Sequence, residues 1–247
     1  MILRVPYIAE ETIERDAEAL LAQYAHAKGV EIRAPIPIDD IVEKHLKLRV
    51  EFNDLRRLFG LPGGRKPDIF GAIWLKSGEI VIDESLDPEE HPLIEERYRF
   101  TLAHEGGHWR LHRALVQANS GQETQWPTIV CRSNQANERV ELQANLYASC
   151  LLMPRKLVTE AWRDTFGYDY VHTLRREGRI EVPRGIARQI AAAARFFEER
   201  AELDLFAWPF AERFLVSAPA MRIRLEGLGL IQREVPMQRS LFGRARA

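Results

Sequence analysis

The residues with the clearest chemical potential lie in the run RFTLAHEGGHWRLH at positions 99–112, which contains three histidines and one glutamate. His104, Glu105 and His108 form the pattern HExxH. Residues four apart on an α-helix project from one face about one turn apart, so both imidazoles can bind one metal ion. Glu105 lies on the same half of the helix and can take a proton from water activated by that ion. The spacing therefore predicts a site for metal-assisted hydrolysis.

A metal held by two histidines needs a third protein ligand, and the sequence offers Glu141 in the next predicted helix. Two histidines and one carboxylate leave a coordination position open for water, which is typical of catalytic zinc sites. Asn145 follows one turn later on the same face and can hydrogen-bond a ligand imidazole, which fixes its tautomer and orientation. We therefore expect one zinc ion per chain, bound by His104, His108 and Glu141.

Two residues beside the motif, His112 and Tyr98, are candidates for lining a substrate cleft. His112 continues the series of histidines, but positions eight apart on a straight helix are separated by about 12 Å along its axis. Direct metal binding by His112 is therefore not expected. Each residue is also a candidate donor to the oxyanion of a hydrolysis intermediate, although a structural role is the simpler interpretation of both.

Simpler interpretations exist for the other motif residues as well. HExxH occurs by chance in unrelated chains, and Glu141 has an alternative interpretation as a solvated acid on a helix face. The helical context of both segments favours the metal site. Cys150 is predicted to be a core thiol, and Cys131, in a polar loop, is interpreted as a surface or packing residue.

The elements that must position the motif follow from periodicity and turn signals. The predicted elements are helices over residues 9–28, from 39, within 88–113 and over 136–153, a strand at 49–52, and a β-hairpin turning at 76–78. Ile69–Leu75, in the hairpin, is a candidate edge strand for an extended substrate, and a plain structural hairpin describes it equally well. The loop at 117–135 is long enough to shape or cover a cleft.

The run FAERFLVSAPAMRIRLEGLGL near the C-terminus predicts a helix, a tight turn and a second helix. Ser217 is a favourable N-cap, and Pro219 suits a first helical turn. The outline resembles a helix-turn-helix element over about residues 205–230. An alternative function is therefore a DNA-binding regulator, in which Arg213, Arg222 and Arg224 contact phosphates. The formal net charge of −1 argues against direct DNA binding.

Composition places the chain among ordinary soluble globular proteins. It has 247 residues, of which 46% are hydrophobic and 29% charged, and this balance favours no membrane partner. Two cysteines are too few for a disulfide framework and fit a reducing compartment. The N-terminal residues lack the apolar core of a signal peptide, and no run is apolar enough to span a bilayer. We therefore expect a cytoplasmic protein.

The motif helix and the downstream run ERVELQANLYASCLLMP together resemble the ImmA/IrrE family of cytosolic zinc metallopeptidases, over about residues 35–160. The resemblance implies that His104, His108 and Glu141 bind zinc and that Glu105 is the catalytic base. It also implies a substrate class, helix-turn-helix transcriptional repressors, whose cleavage relieves repression of stress-response or mobile-element genes. The sequence departs from the family pattern at Gly106, where leucine or isoleucine is usual, and at Arg110, where an apolar residue is common.

The sequence therefore predicts an α+β fold with a zincin-like metallopeptidase core, in which helices pack on a small antiparallel sheet. The core is assigned to residues 1–180, and residues 181–247 are assigned to a helical region that carries the helix-turn-helix-like element. A second alternative function stays open at this point. It is a toxin/antitoxin-like partner that binds its repressor with little or no proteolysis.

Overall fold

The elements described here come from a computed structural model of the chain. It describes residues 5–61, 69–91, 94–117, 128–132, 138–167, 171–174 and 202–233. The helices are α1 (Glu10–Lys28), α2 (Leu55–Leu58), α3 (Glu95–Gln117), α4 (Arg139–Leu152), α5 (Arg155–Phe166), α6 (Glu202–Phe214) and α7 (Ala218–Gly227). The strands are β1 (Arg49–Asn53), β2 (Ile69–Trp74), β3 (Glu79–Asp83), β4 (Ile129–Arg132), β5 (His172–Leu174) and β6 (Ile231–Arg233). A π-helical segment spans Asp40–His45, and a 3₁₀ turn spans Glu84–Leu86.

Helix α1 forms as its apolar periodicity predicts. Its buried residues are Ile13, Ala17, Leu20, Leu21 and Tyr24, which recur at helical spacing and so face one side. Gly29 ends the helix in the left-handed conformation, with φ of 66°, a conformation that glycine adopts without a steric penalty. The predicted helix at residues 9–28 is therefore confirmed.

A four-stranded sheet with the order β1-β3-β2-β4 lies beside the helices. β2 is antiparallel to both β3 and β4, whereas β1 and β3 are parallel. The sheet is therefore mixed, and the expectation of a purely antiparallel sheet is wrong for this one pair. The hairpin between β2 and β3 turns at Gly78, whose φ is 75°, as the sequence predicted.

Strand β2 is an interior strand of this sheet. It forms backbone hydrogen bonds with β3 on one side and β4 on the other, so the prediction that Ile69–Leu75 is an edge strand is wrong. Its pairing partner, β4, lies within the polar segment at 117–135, which the sequence predicts to be a loop. Of that segment, residues 118–127 and 133–137 lie outside the described residues. Within the described chain, the edges of the sheet are β1 and β4.

The C-terminal helices α6 and α7 pack on the same hydrophobic core as the N-terminal elements. Trp162 of α5 is fully buried and stacks against Phe210 of α6, with ring centroids 5.7 Å apart. Ser217 caps α7, since its hydroxyl accepts a hydrogen bond from the amide of Ala220. Two helices thus lie where the sequence placed a helix-turn-helix outline. The predicted domain boundary at residues 180–181 lies outside the described residues.

The three arginines considered for DNA contact are engaged in contacts within the protein. Arg224 is buried, and its Nε donates to the carbonyl oxygen of Met153 over 2.9 Å. Arg222 pairs with Asp204 at 2.7 Å. Arg213 pairs with Asp164 at 3.2 Å. The prediction that Arg224 contacts a phosphate is therefore wrong, because its guanidinium faces the core rather than solvent.

No helix within the described parts of the chain combines the length and the apolarity that crossing a bilayer requires.

Candidate metal centre

Helices α3 and α4 bring the predicted site residues together, and a glycine sets how closely the two helices approach. A Cβ built on Gly107 of α3 would lie 3.0 Å from Cβ of Tyr147 and 3.3 Å from the carbonyl oxygen of Ala144, both on α4. A side chain at position 107 would require α4 to give way by a few tenths of an ångström, because these contacts are tighter than ordinary van der Waals packing. The close crossing allows Glu141 on α4 to face the histidines on α3.

His104, His108 and Glu141 converge on one point. The Nε2 atom of His104 lies 3.2 Å from Oε2 of Glu141, and Nε2 of His108 lies 3.5 Å from Oε1 of the same carboxylate. The two Nε2 atoms are 2.9 Å apart. One ligand atom from each of the three residues lies within 4.8 Å of the others, and all three residues are buried.

This donor set fits a metal ion. Two imidazole nitrogens and a carboxylate oxygen are ligands that zinc accepts in catalytic sites. Buried polar groups in this arrangement are costly unless they are paired, because each has lost its hydration. A cation bound between them would supply the missing compensation. The sequence prediction that these three residues meet is therefore matched by the geometry.

Glu105 lies next to this cluster with its carboxylate buried. Both carboxylate oxygens lack a hydrogen-bond partner among the described residues. Burial raises the pKa of Glu105 well above its ordinary value, and the nearby charge of Glu141 raises it further. A buried carboxylate without partners marks a place where water or another ligand is expected.

The carboxylate of Glu105 points at the sheet, where β2 has a glycine. A Cβ built on Gly71 would clash with Oε1 of Glu105 and lie 3.0 Å from Cγ2 of Thr101. Any larger residue at position 71 would therefore displace the carboxylate. Sequence reasoning missed Gly71, because a glycine inside a predicted strand signals close backbone approach without naming the residue that approaches.

Asn145 contacts the ring of His104, as predicted. Its Oδ1 lies 2.9 Å from Nδ1 of His104. An amide oxygen can only accept a hydrogen bond, so Nδ1 of His104 carries the proton. The Nε2 atom is then unprotonated and faces the cluster with its lone pair, which is the state that metal binding requires.

The structure places His112 behind His108, on the side away from the ligand cluster. The His112 ring is fully buried. Its Nδ1 atom lies 3.1 Å from Nδ1 of His108, and its Nε2 atom lies 3.0 Å from Oε1 of Gln143. Nδ1 of His108 is on the opposite side of that ring from Nε2, so His112 is separated from the ligand cluster. Direct ligation by this ring therefore does not fit, as expected, and the cleft-lining role of His112 stays a prediction.

Tyr98 is also engaged elsewhere. Its hydroxyl donates a hydrogen bond to Oδ1 of Asp39, and the residue is buried. Burial, followed by this hydrogen bond to a carboxylate, raises the pKa of Tyr98. The simpler structural interpretation fits these contacts, and a cleft-lining role for Tyr98 stays a prediction.

The two cysteines lie in different elements, Cys150 in α4 and Cys131 in β4. Cys150 is a buried core thiol, as predicted, and burial raises its pKa to about 11. The backbone of Cys131 lies in β4 opposite Gly71, and its side chain lies outside the described residues.

Comparison with known proteins adds one finding that covers most of the site. The profile of the family described as the IrrE N-terminal-like domain, Peptidase_M78, matches residues 77–226. This range includes β3, the motif helix α3, the helix α4 that packs against it, and α5. None of the curated proteins matches the sequence. Since the matched range is more than half of the 247 residues, the chain belongs to the ImmA/IrrE family of metallopeptidases, as the paired motifs in the sequence had indicated.

Proposed function

We propose that the protein is a zinc-dependent endopeptidase that hydrolyses a peptide bond in a protein substrate. The observation that carries this proposal is the convergence of His104, His108 and Glu141 beside the unpartnered carboxylate of Glu105. When bound there, zinc supplies Lewis acidity, which polarises a carbonyl oxygen and lowers the pKa of water toward ~7.

The protein's own residues then divide the remaining work. Glu105 takes a proton from the water that attacks the scissile carbonyl carbon, and the C–N bond breaks as Glu105 delivers that proton to the leaving amine. The burial of Glu105 beside the ligand cluster, with no hydrogen-bond partner among the described residues, leaves its carboxylate oxygens available for this exchange. Asn145 keeps the ring of His104 oriented throughout.

The substrate we propose is a helix-turn-helix transcriptional repressor, whose cleavage in the cytoplasm would relieve repression. The support is the family resemblance of the two site helices. The alternative of a DNA-binding regulator is weakened by the internal ion pairs of Arg213 and Arg222 and by the burial of Arg224. The alternative of a repressor-binding partner without proteolysis makes a different prediction, a stable uncleaved complex.

The test incubates zinc-loaded protein with the repressor encoded nearest to its gene, with and without a chelator. We expect one specific cut, seen by mass spectrometry, that the chelator prevents. Glu105→Gln should slow this cut by roughly 10²–10⁴-fold, the usual contribution of a general base, while retaining stoichiometric zinc. Glu96→Gln, which changes an exposed glutamate on the same helix, is the matched control and should cut normally.

Two outcomes would contradict the proposal. If Glu105→Gln cuts as fast as the unmodified protein, Glu105 is not the base. If the zinc-loaded protein instead forms a stable complex with an intact repressor, the binding role replaces the enzymatic one.

A further inference from the structure

A chain of hydrogen bonds runs from His108 away from the metal site and ends at the protein's N-terminal segment. Its members are Nδ1 of His108, both ring nitrogens of His112, the side-chain amide of Gln143, and the backbone carbonyl oxygen of Pro6. His112 and Gln143 are both buried. Sequence reasoning missed Gln143, which lies two residues after Glu141 on α4.

The direction of every hydrogen bond in this chain is fixed from its outer end. The carbonyl oxygen of Pro6 can only accept, so Nε2 of Gln143 donates to it over 2.8 Å. Oε1 of Gln143 therefore faces His112. An amide oxygen can only accept as well, so Nε2 of His112 carries a proton and donates over 3.0 Å.

The proton on Nε2 of His112 also determines which ring nitrogen of His108 carries a proton. Among the described residues, the ring nitrogens of His112 contact only the amide of Gln143 and the ring of His108, so no described carboxylate contacts this buried imidazole and its neutral form is favoured. With its proton on Nε2, neutral His112 has an unprotonated Nδ1, which can only accept. His108 must then donate from its own Nδ1 over 3.1 Å. The remaining nitrogen of His108, Nε2, has a free lone pair and faces Glu141 and His104.

We propose that His112 and Gln143 are positioning residues that hold His108 in the tautomer and orientation required for binding a metal ion, with Pro6 as the fixed end of the chain. The proposal rests on the proposed function only in taking the bound group to be zinc. It assigns to His112, the third histidine of the run, a role other than metal ligation or cleft lining.

The two ligand histidines are thus oriented by different means. His104 is held by one residue, Asn145 of α4. His108 is held by two residues in series, and the second of these is tied to the segment that precedes α1. Partners that orient metal ligands typically change metal affinity by 10–100-fold when they are removed.

The experiment compares His112→Leu with His112→Asn. Leucine removes the acceptor, whereas the Oδ1 atom of asparagine can take the place of Nδ1 and accept from His108. Zinc affinity is measured by competition with a chromophoric chelator, and circular dichroism with thermal unfolding of the metal-free proteins checks that each variant folds. We expect His112→Leu to bind zinc 10–100-fold more weakly and His112→Asn to recover most of that loss.

Gln143→Leu provides a second, independent variant. It should weaken zinc binding as well, and the double variant with His112→Leu should lose no more than His112→Leu alone, because both act through one chain. The tautomer of His108 can also be read directly from ¹⁵N chemical shifts of labelled histidine in the metal-free protein. We expect the proton on Nδ1 in the unmodified protein and a redistribution to Nε2 in His112→Leu.

Three results would overturn the proposal. They are unchanged zinc affinity in a folded His112→Leu variant, equal losses in the leucine and asparagine variants, and a His108 proton on Nε2 in the unmodified protein. These outcomes are distinct from a failure of the proposed function. The chemical-shift measurement needs neither a substrate nor zinc, and a peptidase that cuts normally could still give any of the three.

Discussion

Two buried regions of this protein differ in what fills them. Where α3 crosses α4, the interior contains His104, Glu105, His108 and Glu141, all almost inaccessible to solvent. Where α5 packs on α6, the interior is aromatic and is centred on Trp162. Burying apolar rings stabilises the fold, whereas burying ionisable groups costs free energy unless they are paired. The comparison indicates that the first region is built for binding and the second for stability.

The largest expected effect is the loss of stability when the central residue of the aromatic region, Trp162, is replaced. Trp162 is fully buried and contacts the rings of Phe166, Phe206 and Phe210. Trp162→Ala should lower the free energy of unfolding by about 3–5 kcal/mol, the usual cost of removing a large buried aromatic side chain. Urea unfolding monitored by circular dichroism measures this loss.

Trp162→Phe is the matched control for this change. It keeps a ring in the cluster and removes an indole N–H that has no hydrogen-bond partner among the described residues, so we expect less than half of the loss. Zinc affinity, measured under conditions where both variants remain folded, should stay close to that of the unmodified protein. A parallel loss of zinc affinity would show that the two regions are not separate.

The next largest effect is expected from a substitution where α3 crosses α4. Gly107→Ala places a Cβ 3.0 Å from Cβ of Tyr147 and 3.3 Å from the carbonyl oxygen of Ala144, so α3 and α4 must move apart. Overpacking of this kind typically costs about 1–3 kcal/mol. Because Glu141 is on α4 and the histidines are on α3, we expect weaker zinc binding together with the loss of stability.

Gly107→Ala should therefore lower both the zinc affinity and the free energy of unfolding, whereas Trp162→Ala should lower only the free energy of unfolding. Zinc competition and urea unfolding on the same preparation measure the two effects. Normal zinc affinity in a destabilised Gly107→Ala variant would mean that the cluster tolerates a wider crossing than the built Cβ contacts indicate.

The sequence could predict those parts of the site that are local to one helix. The spacing of His104 and His108, and that of Glu141 and Asn145, fixes which residues share a helix face. Spacing along the chain could not predict the contacts between elements that are distant in the sequence. The approach of Glu105 to Gly71 depends on how α3 packs on the sheet, and the bond from Gln143 to Pro6 spans more than half of the chain.

The fold shows the same division. The helix at 9–28 and the hairpin at Gly78 were predictable because their signals lie within a few residues of each other. The interior position of β2 was not, because it depends on β4, about sixty residues later in the chain. The orientation of Arg224 was missed for a related reason. The sequence around Arg224 is typical of a basic surface, and the hydrogen bond from Arg224 to the carbonyl oxygen of Met153 depends on how α7 packs.

The smallest effect comes from the glycine that precedes Gly107. A Cβ built on Gly106 would meet only Cγ2 of Val42, at an ordinary contact distance of 3.6 Å. Glycine in a helix interior costs up to about 1 kcal/mol relative to alanine, chiefly because it leaves the unfolded chain more freedom to lose. Gly106→Ala should therefore raise the free energy of unfolding by about 0.4–1 kcal/mol and leave zinc affinity unchanged.

Adjacent glycines are thus expected to respond to the same substitution with opposite signs, which urea unfolding of the two single variants measures directly. The reason is geometric: position 107 faces α4, where the helices nearly touch, and position 106 faces the side chain of Val42 at an ordinary contact distance. If Gly106→Ala also lowered stability, the tight packing around the site would extend to the π-helical segment at Asp40–His45, and the departure from the family pattern at this position would then be a packing requirement rather than a tolerated variation.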